Sequence, residues 1–356
     1  MSPASRLTIL AALFVVVPTA AGCRSQAYSY SEPAYAETLG PGTVLSSYKL
    51  SPPLEDEILA LGPDHVTAQE VRDVLSHAPA PRIINVHGGI YPVYRAMESF
   101  SLFLIDMGYP EGKIRNPRDG SYSYSCYADV DEIAGVAAWY YEHQGLRPMM
   151  IGHSQGGMQT VKALHALAGD YGRSIPVWNP VTDRREERDY IIDPYSGLKR
   201  PVVGLQLSYA SAVGAGGIAR LMPNQWSVSH NLRKIPDTVA EFTGFYKNLD
   251  IIGGDFAGFG SANGYHASGT ARVRSVLLPF SHDHYFVPFT HHLADHAETR
   301  NWINNYVQRD DPMEPRLSVP ATNIVWAADV WTSIKRNWVI ELQRMIRARR
   351  GMHDAN

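Results

Sequence analysis

The sequence predicts an α/β fold, a mainly parallel sheet flanked by helices on both faces. Short apolar runs alternate with segments of helical periodicity along most of the chain, the pattern of β-α-β units. In one place the joint between two such segments is written out in full. The run Met149, Met150, Ile151 suits a strand buried on both faces; it passes through Gly152-His153-Ser154-Gln155-Gly156 into Met158, Val161 and Leu164 at helical spacing. A chain of 356 residues with 45% hydrophobic and 19% charged residues is also long and apolar enough to bury a large core.

Taken in order, the chain opens with a positive residue, Arg6, an apolar stretch over 7–17, and Ala20-Ala21-Gly22 before Cys23. This is the pattern of a signal peptide over 1–22, too short and too weakly flanked to remain as a transmembrane helix. Residues 23–80 form an N-terminal tether with short helices. The tether itself, 24–50, is rich in Ser, Tyr, Pro, Ala and Gly. Thr67-Ala68-Gln69-Glu70 has the form of a capping box, with Val71, Val74 and Leu75 behind it, so a short helix starts there.

The main domain is expected over 81–350. Ile83, Ile84 and Val86 make its first strand, which opens into His87-Gly88-Gly89. Helices are expected over 96–107 and 129–144, the second leading into the strand before Ser154. Residues 170–200 carry Arg184-Arg185-Glu186-Glu187-Arg188-Asp189 and read as a charged, hairpin-like excursion, with Asp183 and Asp193 solvated. A strand over 202–209 precedes a lid or pocket wall over 212–236, which mixes Gly214, Gly216 and Gly217 with Leu221, Met222, Trp226 and Leu232. The strand 239–246 leads to Asp250, with Asp255 five residues on. The strand 272–280 leads to Ser281-His282-Asp283-His284-Tyr285-Phe286.

Gly152-His153-Ser154-Gln155-Gly156 fits the G-x-S-x-G pattern of a nucleophile elbow, and its context GHSQGG resembles the lipase and esterase members of the α/β-hydrolase superfamily. The resemblance implies an α/β-hydrolase fold with a lid-like insertion. It also implies a serine hydrolase that cleaves carboxylic esters through an acyl-enzyme and needs no cofactor. Ser154 would be the nucleophile, and the two glycines would be needed because the strained turn presses its neighbours against an adjacent strand and helix. The chain order Ser, acid, His implies Asp250, or else Asp255, as the acid, and His282 or His284 as the base. His87-Gly88-Gly89 resembles the family's oxyanion-hole segment. The amides of Gln155 and of Gly88, Gly89 or Ile90 would then receive the oxyanion.

Small residues ending at Cys23 resemble a bacterial lipoprotein signal, although Ala20 stands where leucine is usual. On this reading Cys23 is acylated and a soluble domain is tethered to the cell-envelope membrane, facing the periplasm; the alternative is a free periplasmic or secreted protein. Cys126 would be left as a lone thiol, with no disulfide framework. The partners implied are a small-molecule or lipid ester and the membrane. A net charge of −3 and the lack of a long basic run give no reason to expect nucleic acid. His282, His284, His291, His292 and His296, with Asp283 and Asp295 among them, are a rival metal constellation. They match no zinc signature, so no metal is assigned. An acyltransferase of the same fold and a non-catalytic envelope lipoprotein are the alternative functions.

Overall fold

Six parallel strands form the central sheet of the computed structural model, which describes residues 30–31, 44–216, 220, 223–253 and 264–351. They are β1 (Ile83–His87), β2 (Tyr124–Ser125), β3 (Met149–His153), β4 (Leu207–Val213), β5 (Val239–Tyr246) and β6 (Arg272–Leu277), in the spatial order β6-β5-β4-β3-β1-β2. Every neighbouring pair is parallel. Helices α1 (Pro52–Ala60), α2 (Ala68–Asp73), α3 (Tyr91–Asp106), α4 (Val130–Gln144), α5 (Gln155–Leu167), α6 (Ala297–Asn304) and α7 (Ile324–Arg349) surround it. The expected α/β architecture is what the chain adopts.

Strand side chains alternate between two cores, as a period of two requires. Ile83, Met149, Ile151 and Tyr209 join Met97 and Phe100 of α3 and Trp326, Trp331 and Trp338 of α7 on one face. Ile84, Met150, Ala210 and Ala212 join Ile133 of α4 and Met158, Val161 and Leu164 of α5 on the other. From β1 the chain passes through α3 to the edge strand β2, whereas from β3 it passes through α5 to β4 on the opposite side. The loops leaving β1 and β3 therefore part, and a crevice opens at the carboxyl ends of these two strands.

Local signals account for the element ends. Thr67 caps α2 with the full capping box: its hydroxyl accepts from the Glu70 amide and Glu70 accepts from the Thr67 amide. Asp129 caps α4, and Gly145 ends it in a left-handed turn. The expected excursion is two antiparallel ladders, Trp178–Asn179 with Arg184–Arg185 and Tyr190–Ile192 with Lys199–Pro201.

Several expectations need correction. α3 begins at Tyr91 rather than 96, because Pro92 fits the first helical turn, where a missing N–H loses nothing. The fourth strand spans 207–213 rather than 202–209, since Gly204 turns the chain at φ +90°. β6 stops at Leu277 rather than at 280, ahead of Pro279, which cannot donate to a ladder. The end of the expected tether is packed: Val44, Leu45, Tyr48 and Leu50 are buried, and the Tyr48 hydroxyl donates to the Gln144 carbonyl at 2.9 Å. Asp193 is not solvated. Its side chain is 13% exposed and accepts from the amides of Tyr195 and Ser196 and the hydroxyl of Tyr141. Of the expected lid, Val228, Leu232 and Ile235 are buried in the core on the α4–α5 face. Residues 1–22, Cys23 and Asp255 lie outside the described residues. Among the described residues no helix is long and apolar enough to cross a membrane.

Candidate active site

Ser154 sits at the carboxyl end of β3 with φ 56° and ψ −123°, a backbone region that costs a non-glycine residue about 1–3 kcal/mol. The flanking glycines are what make the turn fit. A Cβ on Gly156 would come within 2.1 Å of the Val86 carbonyl oxygen on β1, and one on Gly152 within 2.3 Å of the Gly156 carbonyl oxygen. The serine is thus pressed between the first strand and the helix it starts.

His284 and Asp250 meet it there. The Ser154 hydroxyl donates to His284 Nε2 at 3.0 Å, and His284 Nδ1 donates to Asp250 Oδ2 at 2.8 Å. A neutral imidazole that donates through Nδ1 has its lone pair on Nε2, the tautomer that can take the serine proton. Asp250 is held in turn by the Gly253 amide on Oδ1 at 2.8 Å. Burial, the largest single influence on this carboxyl, raises its pKa. The hydrogen bond and charge of His284, the Gly253 amide and the charge of Lys247 outweigh it and leave Asp250 below the usual carboxylate value. Gly214 and Gly253 give these side chains room: a Cβ on Gly214 would stand 2.9 Å from the His284 ring, and one on Gly253 2.2 Å from Asp250 Oδ2.

Of the two candidate bases, only His284 reaches Ser154. His282 is fully buried, with Nδ1 3.3 Å from Glu314 Oε1, Nε2 unpartnered, and its carbonyl accepting from Lys247 Nζ at 2.8 Å. Burial first, then the charge of Lys247, pulls its pKa down to about 4.

The glycine segment after β1 lies against the serine. A Cβ on Gly88 would be 3.1 Å from Ser154 Cβ, and one on Gly89 2.6 Å from Gln155 Oε1. Tyr127, two residues beyond β2, anchors the segment by donating its hydroxyl to the Gly89 carbonyl at 3.1 Å. Gln155 is the first residue of α5, so its amide has no acceptor within the helix and lies at the positive end of the helix dipole. The Gly88–Gly89 segment and the start of α5 thus lie on either side of the serine, and the free Gln155 amide is suited to an anion forming beside it.

One further residue was not singled out in the sequence. His153, fully buried, donates Nε2 to the His284 carbonyl at 2.6 Å, so the residue before Ser154 pins the loop that brings the imidazole. Burial first, then the charge of His284, pulls its pKa down to about 3, which keeps it neutral. Its signal was in plain view as the variable position of the elbow, but the pattern assigns that position no role.

The remaining histidines are dispersed: His291 Nε2 pairs with Asp106 Oδ2 at 2.9 Å, His292 stacks on Phe289, and His296 precedes α6. Among the described residues no three His, Cys, Asp or Glu side chains are grouped to hold a metal ion. Cys126 is buried and unpaired, with its thiol pKa pushed up to about 12 by burial. Comparison of the chain with protein-family models, with curated proteins and with solved structures returns no match.

Proposed function

We propose that this chain is a serine hydrolase of the α/β-hydrolase type that cleaves carboxylic esters through an acyl-enzyme. The observation that carries the reading is the continuous relay from Ser154 Oγ through His284 to Asp250, at 3.0 and 2.8 Å, beside the Gly88–Gly89 segment. Ser154 Oγ attacks the acyl carbonyl as His284 Nε2 takes its proton, and Asp250 stabilises the imidazolium. The carbonyl oxygen becomes an oxyanion facing the Gln155 amide and the glycine segment, where each donor contributes about 10²–10³ in rate. Collapse expels the alkoxide, which takes the proton from His284 and leaves as the alcohol. Water then attacks the acyl-serine with His284 as base, and the carboxylic acid departs with Ser154 restored.

Hydrophobic esters suit this site. Six of the seven exposed aromatic side chains among the described residues, Tyr91, Tyr127, Phe280, Tyr285, Phe286 and Phe289, follow the carboxyl ends of β1, β2 and β6, around the relay. A protein tethered through an acylated Cys23 to the periplasmic side of the envelope would meet acyl lipids there; the apolar stretch over 7–17 and the small residues Ala20-Ala21-Gly22 before Cys23 support that location. The test is hydrolysis of p-nitrophenyl esters of graded acyl length. Wild-type protein is expected to turn them over, and Ser154→Ala to lose activity by several orders of magnitude while keeping its fold. Full activity in Ser154→Ala would overturn the reading.

A further inference from the structure

Beside the relay, two guanidinium groups face each other with no carboxylate between them among the described residues. Arg220 and Arg233 come from the segment between β4 and β5, and Gly216 marks where they converge. A Cβ on Gly216 would stand 3.2 Å from Arg220 Nε and 3.2 Å from Arg233 Nη2, with the Gly253 carbonyl oxygen 3.0 Å away. Neither arginine forms an ion pair among the described residues. Arg220 Nε and Arg233 Nε and Nη1 are buried and make no hydrogen bond, and Arg233 stacks over Tyr265, its Cζ 4.4 Å from the ring centre.

This arrangement is unfavourable as it stands. Arginine stays charged in proteins, so two half-buried guanidiniums repel each other and leave their buried donors unsatisfied. Burial first, then the charge of Arg233, holds the Arg220 guanidinium below its ordinary pKa. Elsewhere buried guanidiniums are met by acceptors: Arg274 pairs with Asp329 and Arg336 with Glu241, and Arg82 donates to the carbonyls of Gly112 and Arg115. One carbonyl oxygen, that of Gly253, cannot neutralise two cations. An oxyanion can, because a guanidinium fork matches a carboxylate or phosphate.

The location ties the pair to the relay. Gly216 lies two residues beyond Gly214, which packs on the His284 ring, and Gly253 both donates to Asp250 and offers its carbonyl to the Gly216 position. We propose that Arg220 and Arg233 form an anion subsite that receives a carboxylate or phosphate group of the ester substrate. The subsite rests on the hydrolase reading above and adds that the preferred ester carries a negative charge.

Two measurements test it. In calorimetry, intact Ser154→Ala protein is titrated with inorganic phosphate and with succinate, alone and combined with Arg220→Gln or Arg233→Gln. At least one anion is expected to bind, and each Gln substitution to weaken it about 10- to 100-fold. Phosphate binding without succinate would assign a phosphate-bearing ester, and the reverse a carboxylate-bearing one. If a Gln variant fails to fold, Arg220→Lys and Arg233→Lys keep the charge but lose the fork, and are expected to bind roughly tenfold more weakly. Binding of neither anion, or equal binding by folded variants, would overturn the subsite.

The second measurement compares kcat/KM for p-nitrophenyl butyrate and mono-p-nitrophenyl succinate in the Ser154 protein. The succinate-to-butyrate ratio is expected to fall about tenfold or more in either Gln variant. An unchanged ratio in protein that cleaves both esters would overturn the subsite alone. Cleavage of neither ester would overturn the hydrolase reading, with the calorimetry still deciding on the arginines.

Discussion

The two faces of this sheet's chemistry handle buried charge in opposite ways. Under α7, Asp329 accepts from Arg274 Nη1 and Nη2 at 3.0 Å and from Gln308, while Glu241 accepts from Ser333, Arg336 and Asn337 at 2.9–3.1 Å. All four charged groups have partners: Glu241 and Arg274 on the strands β5 and β6, and Asp329 and Arg336 on α7. At the carboxyl ends of the strands, Ser154 sits in strained backbone, and among the described residues His282 Nε2 and Gln155 Nε2 are buried without partners and two arginines share no acid. Backbone strain persists only where the surrounding fold over-determines it, and at Ser154 it coincides with the relay to His284 and Asp250.

Substitutions can break that contrast. The largest effect is expected at the relay: His284→Ala should lower kcat by about 10⁴-fold or more, and Asp250→Asn by about 10⁴-fold, as neutralising the equivalent acid does in serine proteases, with little change in urea denaturation. Under α7 the expectation reverses. Asp329→Ala removes the bidentate partner of Arg274 and leaves it only the exposed Asp310 at 3.6 Å, so it should destabilise the protein by about 3 kcal/mol in urea titration while kcat of the folded fraction stays within about twofold. A loss of kcat at the relay matched by an equal loss of stability would erase the difference between the regions.

Smaller effects sharpen it. Ser154→Gly removes the strain of a non-glycine residue, so it should raise stability by about 1 kcal/mol or more while abolishing turnover. His282→Gln should leave kcat within about tenfold, far from the loss at His284, because its ring does not reach Ser154. It should also flatten the acid limb of the stability curve. A histidine whose folded pKa is about 4 binds a proton less readily than its unfolded form, near 6.5, so the folded state loses stability as pH falls from 6.5 towards 4. The melting temperature of wild-type protein is expected to drop across that window more steeply than that of His282→Gln.

Much of the carboxyl-end region was legible in the sequence because its geometry depends on residues with special backbone demands. Gly152, Gly156, Gly88 and the order of Ser154, Asp250 and the histidines are local signals, and the structure brings Ser154, Asp250 and His284 together. The choice between His282 and His284 was not legible, since two residues on one loop differ only in which way the chain turns after Pro279. The long helix α7 left little amphipathic trace: Asp329, Lys335, Arg336 and Glu341 are buried charges that interrupt its apolar stripe and are matched by residues distant in sequence. The convergence of Arg220 and Arg233, thirteen residues apart, likewise exists only once β4 and β5 are paired.

The central claim is that Ser154 is an activated nucleophile and not a serine in an ordinary turn. A fluorophosphonate probe followed by peptide mass mapping tests it most directly. The expected result is one adduct per chain, on Ser154, slowed by orders of magnitude in His284→Ala and not in Asp329→Ala. An unlabelled Ser154, or labelling that does not depend on His284, would contradict it.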